Sequence, residues 1–104
     1  MYGLLDRDIK SILEVMSKFS EIEEAIIFGS RAIGNYKKGS DIDIAIKGVN
    51  ITRRIIRRVS DALNEEYPIP YFFDIIHYES LDNKKLIDHI DIEGKIIYLK
   101  NELI

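Results

Sequence analysis

The 104-residue chain has no cysteine, no glutamine and only two prolines. Without cysteine there is no disulfide framework, no thiolate zinc site, no iron–sulfur cluster and no thiol nucleophile. No apolar run approaches the ~20 residues that cross a bilayer, and the first residues lack the basic-then-apolar order of a signal segment. The expectation is therefore a cytosolic domain. Repeats, low-complexity stretches and Pro/Gly/Ser linkers are also missing, and Pro68 and Pro70 lie two apart in one loop. Fifteen Lys and Arg against 18 Asp and Glu leave a net charge of −3, which disfavours a protein that wraps nucleic acid by bulk electrostatics.

What is present describes a single globular domain spanning residues 1–104. Hydrophobic residues make up 46% of the chain, too many for disorder, and the length suits one two-layer core. Isoleucine occurs 21 times beside abundant Lys and Glu. Heat-adapted proteins show this composition, and a nucleotide-biased genome produces it equally well.

Periodicity divides the chain into alternating helices and strands. Ile9, Ile12, Leu13 and Met16 recur at helical spacing between Asp6 and Phe19, with Asp6 as the expected N-cap. Ala25 to Phe28 has the profile of a short buried strand. Asp41 to Ile46 alternates strictly, with Ile42, Ile44 and Ile46 on the core face and Asp41, Asp43 and Ala45 on the outer face. Ile55, Ile56, Val59, Ala62 and Leu63 stripe a helix from Thr52 to Glu66. A third strand runs from Tyr71 to His77, a short helix from Asn83 to Glu93, and a last strand from Lys95 to Leu99. The expected class is α+β, a two-layer fold with a small mixed sheet of about four strands and helices packed on one face.

The chemistry concentrates between residues 29 and 46. Asp41 and Asp43 point to one side of their strand, and two adjacent carboxylates repel unless a cation lies between them. Magnesium suits such a pair because it takes hard oxygen ligands from carboxylates, water and phosphate. Upstream, a buried strand opens into Gly29-Ser30-Arg31-Ala32, small residues that let backbone N–H groups approach an anion. Ser30 adds a hydroxyl and Arg31 a phosphate contact, and Ser40 is counted with them as nucleotide-binding. Asp74 is the only charge in Tyr71-Phe72-Phe73-Asp74-Ile75-Ile76, and an isolated carboxylate there calls for a metal or an arginine partner.

Gly-Ser, Arg-Ala-x-Gly and Ser-Asp-x-Asp together resemble the signature of the nucleotidyltransferase superfamily typified by DNA polymerase beta. The short chain looks most like the minimal nucleotidyltransferases, or MNT proteins, of prokaryotic toxin–antitoxin pairs. That resemblance implies a nucleotidyltransferase fold in which Gly29 and Ser30 hold the triphosphate tail. Asp41, Asp43 and Asp74 would hold two magnesium ions and help deprotonate the attacking hydroxyl. Where relatives often carry a second basic residue after the Ala, this chain has Ile33, and Lys37 and Lys38 stand in the following loop. The resemblance further implies ATP as substrate and a HEPN-type ribonuclease toxin as partner, AMP passing to a toxin tyrosine and silencing it. The alternatives are an antitoxin that neutralises by binding alone, and a small-molecule nucleotidyltransferase of the aminoglycoside type. The 104 residues leave no room for an acceptor module, so the expectation is that a partner protein or an oligomer interface presents the hydroxyl.

The remaining candidates are weaker. Arg53, Arg54, Arg57 and Arg58 flank one helical stripe, as a solvated face, a docking surface for an acidic partner or an RNA phosphate contact. His77 and His89 have no partner at metal-ligand spacing and are taken as structural. Tyr71, Phe72 and Phe73 are expected as core and sheet cover, while Tyr36 and Tyr78 lie in loops within reach of an adenine or a partner. From Arg31 to Arg58 eight basic residues face two acidic ones, so the basic charge gathers around the carboxylate pair.

Overall fold

The computed structural model describes residues 1–100. Four strands form one mixed sheet in the order β3-β2-β1-β4. They are β1 (Glu24–Phe28), β2 (Ile42–Lys47), β3 (Phe73–His77) and β4 (Lys95–Leu99). β1 runs antiparallel to both β2 and β4, while β2 and β3 are parallel. A parallel pair needs a crossover connection, and here α3 (Arg53–Asp61) with the π-helical turn Ala62–Glu66 provides it. The other helices are α1 (Asp6–Ser17), the four-residue α2 (Ser30–Ile33) and α4 (Lys84–Glu93).

The alternation along β1 and β2 places two apolar clusters on opposite faces of the sheet. Ile12, Val15 and Met16 of α1 and Ile55 and Val59 of α3 bury Ala25, Ile27, Ile42, Ile44 and Ile46. The second cluster gathers Ile26, Phe28 and Ala45 under Ile90 of α4. The mixed four-stranded sheet is the expected one. Its helices, however, are not confined to one face, and Ala45 is buried rather than outward-facing. An alanine fits either environment, so the alternation could not reveal that α4 would cover it.

Local signals explain most boundaries. Thr52 caps α3, its Oγ1 accepting the Ile55 N–H at 3.2 Å, and Asn83 caps α4 through the Leu86 N–H at 3.2 Å. At α1 the expected cap is displaced. Leu5 occupies the N-cap position, and Asp8 reaches back to accept the Leu5 N–H at 3.1 Å. His77 is structural as expected, bridging Ser80 Oγ and the Gly48 carbonyl. No helix among the described residues is long and apolar enough to cross a membrane.

Candidate functional site

β1, β2 and β3 place Phe28, Asp43 and Asp74 in one row across the sheet, since Phe28 pairs with Asp43 and Asp43 with Asp74. In-register neighbours on adjacent strands are about 4.8 Å apart along the hydrogen-bonding direction and project from the same face. That face is the one beneath α4, because Ile76, two residues after Asp74, packs on the α4 cluster. Asp41 precedes β2 by one residue and shares the parity of Asp43. Asp41 and Asp74 are exposed and Asp43 is half-buried.

The electrostatics follow from this row. Burial is the main reason the Asp43 carboxyl titrates above the usual carboxylate range, and the charges of Asp74 and Asp41 push it further. A protonated His89 would oppose that rise. An ionised Asp43 is thus held where a positive charge would be favourable. Among the described residues no three carboxylate or imidazole groups already converge as a metal cage. The donor set of Asp43 and Asp74, with Asp41 upstream, fits a hard divalent cation whose remaining ligands come from water and phosphate oxygens.

Gly29 terminates β1 directly over Asp43. Its φ of 74° and ψ of −156° lie in a region that only glycine enters readily. A Cβ at this position would overlap Asp43 Oδ2, so glycine is required twice, by backbone and by contact. The chain then turns into α2, whose first N–H groups have no intrahelical partner. Ser30 opens this helix half-exposed, close in sequence to the Gly29–Asp43 contact.

Two of the nucleotide-binding candidates are placed differently. Arg31 is only 2% exposed and does not face a phosphate site. Its Nε and Nη2 donate to the Ser40 carbonyl at 3.1 and 2.8 Å, and Nη1 donates to the Tyr2 carbonyl at 3.0 Å. The guanidinium stacks with Tyr36 and Tyr71, 5.2 and 4.5 Å from the ring centroids. Arg31 is therefore consumed in pinning the segment that delivers Asp41, and the expected phosphate contact is corrected to this structural role. The Ser40 hydroxyl oxygen accepts the Lys37 N–H at 2.8 Å, closing the loop before Asp41. Arg53, Arg54, Arg57 and Arg58 are exposed on α3, on the face of the sheet opposite the carboxylates.

Two further residues belong to the site's surroundings. His89 of α4 accepts the Gly29 N–H on Nε2 at 2.9 Å and stands edge-on to Phe28, with ring centroids 6.1 Å apart. Asn64, in the π-helical turn, clasps the strand next to Asp74. Its Oδ1 accepts the Phe73 N–H at 2.7 Å, and its Nδ2 donates to the Phe73 carbonyl at 3.1 Å. Neither carries a sequence signal, since the partners lie 60 and nine residues away.

Comparisons with known proteins bear on the fold and the family. No curated protein matches the chain significantly. Among solved structures, a toxin–antitoxin complex with AMP-PNP superposes with a TM-score of 0.71 at 19% identity, covering 94% of this chain and 76% of that one. A tri-AMPylated HEPN toxin in complex with MNT antitoxin, from Shewanella oneidensis, gives 0.69 at 16% identity, covering 94% and 72%. A crystal structure described as a putative nucleotidyltransferase, from Sulfolobus solfataricus, gives 0.51 at 21% identity, covering 96% and 94%. At these identities the likeness carries the fold alone. The family model described as "Polymerase beta, Nucleotidyltransferase" matches residues 10–103, and by that match over nearly its whole length the chain belongs to this nucleotidyltransferase family.

Proposed function

We propose that the chain transfers an adenylyl group from ATP to a hydroxyl, most specifically a tyrosine of a HEPN-type toxin, and so acts as the toxin's antitoxin. The observation that carries this reading is the in-register pair Asp43 and Asp74 beside the Gly29 turn. It supplies a carboxylate pair and an anion seat on one face. The neighbouring complexes contain an HEPN toxin bearing AMP groups and an MNT antitoxin, and a nucleotide analogue in a toxin–antitoxin pair.

In this reading the acceptor oxygen attacks the α-phosphorus of ATP. The bond from that phosphorus to the bridging oxygen of the β-phosphate breaks, and pyrophosphate leaves. Asp74, exposed at the end of the row, takes the hydroxyl proton. Gly29 and Ser30 seat the triphosphate tail and so align it with the acceptor. Asp41, Asp43 and Asp74 would hold magnesium, which when bound neutralises the triphosphate and lowers the acceptor's pKa. Arg31 and Ser40 serve indirectly by fixing the approach to Asp41. This reading has the chain act in the cytoplasm, where ATP and the toxin partner would meet.

The test is to incubate the protein with a HEPN-type toxin from the same source, ATP and magnesium, and to weigh the toxin by mass spectrometry. A gain of one or more AMP units on a tyrosine is expected, and Asp41→Asn or Asp43→Asn should abolish it while the fold survives. A partner neutralised without any mass gain would replace transfer by occlusion, and full transfer by the double Asn variant would remove the carboxylates from the mechanism.

A further inference from the structure

The Gly29 turn is gripped from both sides. Asp43 Oδ2 packs beneath the Gly29 Cα, and the Gly29 N–H is held by His89 Nε2 at 2.9 Å. This hydrogen bond joins residues 60 apart, from the end of β1 to the middle of α4, across the second face of the sheet. Because Nε2 accepts this hydrogen bond, the ring is the neutral tautomer with its hydrogen on Nδ1. Contact with Phe28 sets the plane of the imidazole, and burial of Ile90 against Ile26 and Phe28 sets the height of α4.

Such a bond fixes more than one donor. The Phe28–Gly29 peptide is planar, so holding its N–H fixes its rotation about the strand axis. The Gly29 backbone occupies a region that no local preference stabilises. Released from His89, the glycine has several conformations open to it. The direction of the next amide, on Ser30, then becomes free as well. The geometry points to His89 as a positioning residue that presents the Gly29-Ser30 turn to the β- and γ-phosphates of a nucleoside triphosphate. Its role is to orient backbone donors, and it need not touch the substrate. The inference rests on the proposed nucleotidyl transfer only for the identity of the ligand.

Two kinds of substitution separate this role from ordinary packing. His89→Phe and His89→Leu keep an apolar body against Phe28 and remove the acceptor. His89→Gln places a carbonyl oxygen near the position of Nε2 and keeps it. The probe is a β,γ-imido analogue of ATP with magnesium, measured by calorimetry, with AMP measured by competition. Losing one net hydrogen bond predicts roughly three- to tenfold weaker analogue binding in the Phe and Leu variants. AMP, which lacks the outer phosphates, should be unchanged, and His89→Gln should bind the analogue like the parent. In the ligand-free protein, the Gly29 amide should exchange faster with solvent in the Phe and Leu variants and stay protected in the Gln variant.

Unchanged analogue binding in the Phe and Leu variants overturns the proposal, as does an equal loss for AMP or failure of Gln to rescue. If His89→Phe does not fold, His89→Leu and His89→Gln still give the comparison. The two readings separate cleanly. Analogue binding that depends on His89 without any AMP transfer keeps this inference and refutes transfer, whereas transfer that is indifferent to His89 does the opposite.

Discussion

Gly29→Ala tests the local geometry of the site without reference to any ligand. Gly29 sits at φ 74° and ψ −156°, and holding an alanine there costs about 2 kcal/mol of backbone strain. For a domain of this size each kcal/mol moves Tm by about 4–8 °C, so strain alone should lower Tm by about 8–16 °C. The new Cβ also overlaps Asp43 Oδ2, and the carboxylate must swing aside. A double-mutant cycle with Asp43→Ala separates these two costs. The backbone strain survives in the double variant, while the overlap disappears, so the substitutions should couple by about 1 kcal/mol. Thermal unfolding of the four proteins by circular dichroism, without metal or nucleotide, gives both terms. A Gly29→Ala protein that melts within about 2 °C of the parent would show that the turn is not held at positive φ. Additive effects of the two substitutions would show that Gly29 and Asp43 do not touch.

Three further substitutions probe the residues around that turn. Burial, followed by the charges of Asp74 and Asp41, raises the Asp43 pKa in the folded state. The folded protein therefore binds this proton more tightly than the unfolded chain, and stability falls as pH rises from about 4 through the raised pKa. Asp43→Asn should flatten that fall and raise Tm at pH 7, and melts of both proteins from pH 4 to 7 in EDTA that stay parallel would refute it. Arg31→Lys should destabilise the protein by about 2 kcal/mol in urea unfolding, because a single ammonium cannot replace two N–H groups on the Ser40 carbonyl and a third on that of Tyr2; an unchanged midpoint would mean the contacts are incidental. Asn64→Ala should cost about 1–3 kcal/mol by leaving both polar groups of Phe73 unpaired on this side, and hydrogen exchange should localise the loss to β3; uniform exchange across the sheet would refute the clasp.

How far the sequence disclosed this site depends on the distance over which each feature acts. The alternation Ile42, Asp43, Ile44 carries its own explanation within one strand, and Asp74 stands out as the one charge in an apolar run, although the structure leaves it exposed on the edge strand. Pairing of β2 with β3 then brings Asp43 and Asp74 into one row, a juxtaposition that only the strand register settles. Arg31 shows the opposite limit. Beside Gly29 and Ser30, an arginine has the right chemistry for a phosphate, but the same guanidinium also suits a buried carbonyl between two tyrosine rings. Sequence adjacency cannot choose between them, because α2 is a single turn and successive side chains on it point in different directions. His89 fails for a different reason. Its partner is a backbone N–H, which every residue but proline possesses, so no residue type near position 29 marks the pairing. The carboxylates were legible because their spacing along single strands is written in the sequence. The groups that hold the turn and the strand in place, His89, Arg31 and Asn64, were not, since each serves the site through contacts that any well-packed domain also makes.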